Sequence, residues 1–221
     1  MKFTSELTAF QNRLLALGIP SQEEDFKHII PILEIKHFKK GEIVLNRGEI
    51  CREAYFILKG MMRSFQILPN KNEKTYVLCF ENHIFTEHTS FISQKPSTDY
   101  LQAVDEVSVL FFTHENLMKL YKKSHALESI ARQISDVNFI VAKNKLMSLM
   151  NDDAATRYRA FLRSYKSVLS RIPQNIVASY LGITPQSLSR LKREFGESMP
   201  SPTASSNPSN ILSKFQEHNP K

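Results

Sequence analysis

The spacing of apolar residues changes abruptly near Ser124, and that change divides the chain more firmly than any single motif. Between Phe38 and Phe112, short apolar runs alternate with turn signals. The runs are 43–45, 55–58, 61–68, 75–80, 101–104 and 107–112. Lys40-Gly41-Glu42, Arg47-Gly48-Glu49, Lys59-Gly60 and Pro69-Asn70-Lys71-Asn72 punctuate them. Closely spaced short strands joined by turns predict an antiparallel sandwich or barrel, with room for a small core or a ligand cavity. From Ser124 to Met150 the period becomes helical. Leu127, Ile130, Ile134, Val137 and Val141 form a heptad seam, the spacing of a coiled-coil contact. A second stripe, Phe139, Ala142, Leu146 and Leu149, faces elsewhere. Two stripes need two partners, so one can pack on the chain's own barrel while the other meets a second subunit. The seam beginning at Leu127 is the expected dimer interface. The plainer alternative is one amphipathic helix lying on its own domain. Upstream, residues 5–17 and 22–35 also carry helical spacing, with Gly18 and Pro20 ending the first segment.

Composition sets the outer limits. The 221 residues are 42% hydrophobic and 23% charged, as in ordinary globular proteins of one large or two smaller domains. No apolar run approaches the ~20 residues that cross a bilayer. Met1 to Phe10 lacks a basic-then-apolar leader pattern, so a cytoplasmic location without a membrane partner is expected. Cys51 and Cys79 read as small buried hydrophobes and are too few for a cysteine-only metal site.

Charge is distributed unevenly. The chain holds 29 Lys and Arg against 22 Asp and Glu. Eight of the basic residues (Arg157, Arg159, Arg163, Lys166, Arg171, Arg190, Lys192 and Arg193) lie in one span without an Asp or Glu, which accounts for the whole positive excess. A basic module beside a neutral one suggests a polyanionic partner.

That basic span contains a pair of short helix patterns. Pro173 suits a first helical turn, and Ile176, Val177, Tyr180 and Leu181 make one apolar face. Ala178 is small enough to let a second helix cross closely. Gly182 falls where helices commonly end left-handed. Thr184 is an expected N-cap with Pro185 at N1 of the next helix. That second helix buries Leu188, Leu191 and Phe195, while Gln186, Ser189, Arg190 and Arg193 occupy its other face. Arg190 can pair with guanine and Gln186 with adenine through two hydrogen bonds each. Gln174, Thr184, Pro185, Ser187, Lys192 and Arg193 complete the expected DNA-binding set, Ser187, Lys192 and Arg193 toward the phosphates. The second helix of such a motif enters the major groove of double-stranded DNA. Two helices about a glycine turn also occur as plain αα-corners.

The order of barrel, long helix and helix-turn-helix resembles the Crp/Fnr family of bacterial transcription regulators across roughly residues 20–195. The resemblance rests on Lys40-Gly41-Glu42, Arg47-Gly48-Glu49, the stretch 54–60 and above all 172–190, which runs from Ile172 through Gly182 to Arg190. It implies an α+β fold: a double-stranded β-helix (jelly-roll) barrel with flanking helices, a long dimerisation helix and an all-α helix-turn-helix domain. The corresponding segments are 1–123, 124–150 and 151–197, followed by a Ser-, Pro- and Asn-rich tail, 198–221, expected to be disordered. It also implies a homodimer on a pseudo-palindromic operator, with RNA polymerase as a further partner.

Two departures from the family pattern bear on function. In cyclic-nucleotide-binding members a Gly-Glu pair precedes an Arg-Ser or Arg-Thr pair, the Glu holding the ribose and the Arg the phosphate. Here Thr86-Glu87 and Ser97-Thr98 stand at those places, with Asp99 beside them. A cyclic phosphate loses its charge-assisted partner, so cyclic AMP is not expected and no cofactor is assigned. A hairpin wing after the second helix is also missing from the pattern.

The rival from another class is a cupin-like metal-binding barrel or enzyme, with His83, Glu87 and His88 as ligands. The two histidines stand five apart rather than one apart, and His114 follows the last strand, so the expected metal set is none. No nucleophile–base pattern or phosphate-cradling glycine loop stands out among six glycines, and no enzyme activity is expected. A dimeric sensor that binds protein through the helix pair is the third reading.

Overall fold

The structure is a computed structural model that describes residues 4–16 and 28–196. It divides into two compact units, residues 1–136 and 137–221.

The first unit is a sandwich of two four-stranded antiparallel sheets. One has the order β1-β8-β3-β6 and the other β2-β7-β4-β5. The strands are β1 (Glu34–Phe38), β2 (Ile43–Leu45), β3 (Glu53–Lys59), β4 (Met62–Ile67), β5 (Glu73–Cys79), β6 (Ile84–Phe85), β7 (Tyr100–Ala103) and β8 (Val107–Thr113). Phe56, Ile57, Met62, Leu101, Val109 and Leu110 are almost wholly buried, and Cys51 and Cys79 are buried and free. β3 buries both faces because α1 (Thr4–Ala16) lies over it, with the ring of Phe10 edge-on to Phe56 at 5.1 Å. The β3–β4 turn needs Gly60. Its φ is +95°, and a Cβ there would collide with the Glu106 carbonyl oxygen and lie 2.9 Å from Val107 Cα.

Each of the six apolar runs matches one strand of this sandwich. The helical reading of residues 22–35 is corrected. Residues 22–27 lie outside the described residues, Ile30–Ile32 is a single 3₁₀ turn, and β1 begins at Glu34. Pro31 explains the difference, since a proline inside a helix removes a hydrogen bond and clashes with the preceding turn. β6 and two helices, α2 (His88–Ser93) and α3 (His114–Tyr121), were not foreseen. α3 has a local signal, Thr113 accepting from Asn116 N at 3.2 Å as its N-cap. The tail from 198 lies outside the described residues.

α4 (His125–Asn151) matches the predicted long helix to within a residue at each end. Leu127 and Ile130, the first two residues of the expected dimer seam, are buried within the protomer itself. Ile134 and Val137 are half-buried. The large apolar residues that α4 exposes lie in its C-terminal half: Phe139, Val141, Leu146, Met147, Leu149 and Met150.

In the second unit, α5 (Ala154–Tyr165), α6 (Gln174–Leu181) and α7 (Pro185–Gly196) pack around Tyr158, Phe161, Ile176, Val177, Leu181, Leu188 and Leu191. α5 stops at Tyr165, and a 3₁₀ turn covers Leu169–Arg171. Among the described residues, no helix is long and apolar enough to cross a membrane.

One histidine makes the sandwich sensitive to acid. His83 lies tilted against Phe80 with ring centroids 4.3 Å apart, and its Nδ1 lies 3.0 Å from the Glu81 carbonyl oxygen. Burial, helped by the Arg13 guanidinium, pushes its pKa down to about 4. Between that value and the ordinary His value of about 6.5, the unfolded chain takes up the proton and the folded chain does not. Stability therefore holds above pH 6.5 and falls as pH drops toward 4, by up to about 1.4 kcal/mol per pH unit. Urea midpoints at pH 7 and pH 5 should differ less in His83→Gln than in the wild type.

Candidate nucleic-acid interface

The turn between α6 and α7 follows from four residues. Gly182 adopts φ +70°, where the lack of a Cβ avoids strain. Its N–H donates to the Ser179 carbonyl, and the Ile183 N–H donates to the Ala178 carbonyl at 3.0 Å. This double closure terminates α6. Thr184 Oγ1 then accepts from Ser187 N at 3.1 Å and caps α7, and Pro185 occupies the first helical position, where no donor is lost. Ala178 is 1% exposed, consistent with close approach of the two helices.

α7 is sharply two-faced. Leu188 and Leu191 are buried and Phe195 half-buried, on one side. Gln186, Ser189, Arg190 and Arg193 are exposed on the other, at i, i+3, i+4 and i+7. Three of the expected contact residues are partly committed inside the motif. The hydroxyls of Thr184 and Ser187 bond to one another at 3.0 Å, and Ser189 Oγ donates back to the Pro185 carbonyl. Gln174 is exposed at the start of α6, and Lys192 is half-buried.

Arg159, Arg163, Lys166 and Arg171 are exposed, and Arg157 is not. Its Nε donates to the Leu181 carbonyl at 3.0 Å, and its Nη1 to the Asp152 carbonyl at 2.5 Å. One guanidinium thereby ties the end of α6 to the end of α4, although by composition Arg157 counts with the basic span. Asp153 caps α5 by accepting from Thr156 N at 2.7 Å. Lys145 Nζ sits 2.8 Å from the centre of the Tyr180 ring, and Tyr180 and Tyr165 share a hydrogen bond of 3.0 Å. Neither the Arg157 clamp nor the Lys145–Tyr180 contact was read from the sequence. Both join residues far apart along the chain with no periodic signature.

The barrel residues singled out as a pocket have local partners. Thr86 Oγ1 donates to the Glu53 carbonyl at 2.9 Å. Glu87, 8% exposed, accepts from the N–H groups of Thr89 and Ser90 and caps α2. Ser97 Oγ accepts from Asp99 N, and Thr98 is exposed. A cyclic phosphate needs donors and a cation. Between Ile84 and Tyr100 the only Lys or Arg is the exposed Lys95. These residues do not fit that ligand. The proposed metal ligands also part company: His83 faces the Phe80 and Glu81 carbonyls, while His88 is exposed at the start of α2. Among the described residues, no three His, Cys, Asp or Glu gather into a metal set.

Comparison with known proteins places this geometry in a class. Residues 35–124 match the cyclic nucleotide-binding domain family. No curated protein matches the chain. Among solved structures, FixK2 from Bradyrhizobium japonicum is similar with a TM-score of 0.68 at 15% identity, over 79% of this chain and 90% of that one. The c-di-GMP responsive global regulator CLP from Xanthomonas campestris has a TM-score of 0.63 at 14% identity, over 80% and 92%. A protein described as a transcriptional regulator of the Crp/Fnr family, from Eubacterium rectale, has a TM-score of 0.63 at 16% identity, over 89% and 95%. The first unit is thus a cyclic nucleotide-binding-type barrel. The described residues share the fold of these solved regulators, and the resemblance to a Crp/Fnr-type fold is borne out.

The clamp is open to a direct test. Arg157→Ala leaves two carbonyls without their charged donor and should lower stability by about 1–3 kcal/mol in urea denaturation. Lys166→Ala, on the exposed surface, should stay within about 0.5 kcal/mol of the wild type.

Proposed function

We propose that this chain is a sequence-specific, DNA-binding transcription regulator that acts as a homodimer on a pseudo-palindromic operator. The observation that carries the reading is the exposed α7 face. Gln186, Arg190 and Arg193 project from a capped helix, and residues 157–193 hold eight basic and no acidic residues before Glu194. Arg190 and Gln186 read base edges in the major groove, and Arg193 and Lys192 meet phosphates beside them. Arg159, Arg163, Lys166 and Arg171 extend the backbone contacts, in place of a wing.

The dimer forms through α4. The seam supplies the surface through the half-buried Ile134 and Val137 and the exposed Val141. Leu127 and Ile130 serve the protomer core instead. RNA polymerase contact, a cytoplasmic location, a non-enzymatic role and control by an effector other than cyclic AMP belong to the same reading.

Substitutions separate base reading from phosphate attraction. Arg190→Ala should cost about 1–3 kcal/mol on the preferred operator and relax sequence choice. Arg163→Ala should weaken all duplexes nearly equally and flatten the salt dependence by about one phosphate, a log–log slope change near 0.9. An Arg190→Ala variant that keeps the full site preference contradicts the assignment of α7 as the reading helix. A protein-binding role predicts little salt-dependent affinity for duplex DNA at all.

A further inference from the structure

The segment joining β6 to β7, residues 86–99, is where a barrel of this type would be expected to meet a small ligand. Here each of its polar side chains named below has a partner from the chain itself. Thr86 Oγ1 donates to the Glu53 carbonyl. Both Glu87 carboxylate oxygens accept from the start of α2, Oε1 from Thr89 N at 3.1 Å and Oε2 from Ser90 N at 2.7 Å. Ser90 Oγ accepts from Cys51 N and donates to the Lys95 carbonyl. Gln94 Nε2 donates to the carbonyls of Cys51 and Phe91. Ser97 Oγ exchanges hydrogen bonds with the Asp99 backbone, donating to its carbonyl and accepting from its N–H, each at 2.9 Å. The Ser97 backbone pairs with Gly48 and Glu49 across the turn.

Asp99 completes the pattern. Its carboxylate accepts from Ser64 Oγ at 2.9 Å and Gln66 Nε2 at 2.7 Å, both on β4, and from Thr98 Oγ1 at 3.2 Å. Gln66 is fixed in turn by the Tyr76 hydroxyl on β5, at 3.1 Å. Ser64 and Gln66 on β4 and the N–H groups of Thr89 and Ser90 on α2 are therefore already bound to two carboxylates of the same chain. An arriving phosphate would have to displace Glu87 from two backbone N–H groups and settle in a segment that holds the Asp99 charge and no buried cation. Like charges confined together disfavour ionisation of both, and charge-assisted bonds of this kind are about twice as strong as neutral ones.

We infer that the barrel is self-liganded: Glu87 and Asp99 act as built-in anions, and the segment is closed to cyclic nucleotides and to other phosphate-bearing effectors. This goes beyond the absence of an arginine, because it assigns the occupied donors and the carboxylates that occupy them. It is independent of the DNA-binding reading.

Titration calorimetry on the full chain tests it directly. Cyclic AMP and cyclic GMP should give no saturable heat up to about 1 mM, corresponding to binding weaker than about 4 kcal/mol. Neither should raise the melting temperature. Saturable binding of either nucleotide in the micromolar range overturns the inference. The double variant Ser97→Arg, Asp99→Ala supplies a cation and removes a carboxylate, and should gain at least about tenfold in cyclic AMP affinity. A double variant that melts like the wild type and gains nothing contradicts the role given to Asp99. Because the calorimeter reads the barrel without DNA, a failed DNA-binding experiment leaves this result unaffected, and the reverse also holds.

Discussion

Gly182 sits at φ +70°, and the N–H groups of Gly182 and Ile183 fold back onto α6 while Thr184 opens α7 two residues later. The rest of the interface depends on this turn. It sets where α7 begins, and therefore which of its residues fall on the apolar side and which on the exposed side. A shift of one residue would rotate the helix by about 100° and move Arg190 off the exposed face. The turn is held from outside as well, since Arg157 binds the Leu181 carbonyl at the end of α6. A charged side chain that counts toward the basic surface by composition is thus spent on fixing the helices that carry that surface.

Much of this was legible in the sequence because local rules agree with the fold there. Gly182, Thr184 and Pro185 each have a strong positional preference, and the three together leave little freedom in reading the turn. The six apolar runs became strands because their flanking Gly, Pro and Asn residues admit few alternatives. Where the reading failed, a competing pattern was weak or local. Ile29, Ile30 and Leu33 imitate helical spacing, yet Pro31 interrupts it and β1 carries only Ile35 and Phe38 as apolar residues. The split of α4 also escaped periodicity. A heptad shows which residues share a stripe, but not whether that stripe ends in the protomer core, as Leu127 and Ile130 do.

The pocket residues teach a related point. Glu87 stands where a ligand-binding glutamate is expected from the family pattern, and residue type alone suggests the same chemistry. Its oxygens are instead engaged by the first N–H groups of α2. A carboxylate at a helix start satisfies backbone donors and the helix dipole at once. A binding residue can become a structural one in this way without changing its identity. In the sequence Asp99 is only an acidic neighbour of Ser97 and Thr98. Its bonds to Ser64 and Gln66 depend on β4 and β7 lying side by side, which no local motif encodes.

The central claim is that the α7 face reads DNA. Selection of bound duplexes from a random-sequence pool, carried out at two salt concentrations, tests it most directly. The account predicts recovery of a two-fold symmetric sequence with half-sites about one helical turn apart, and an affinity that falls steeply as salt rises. Recovery of no preferred duplex, or an affinity that stays flat with salt, would contradict it.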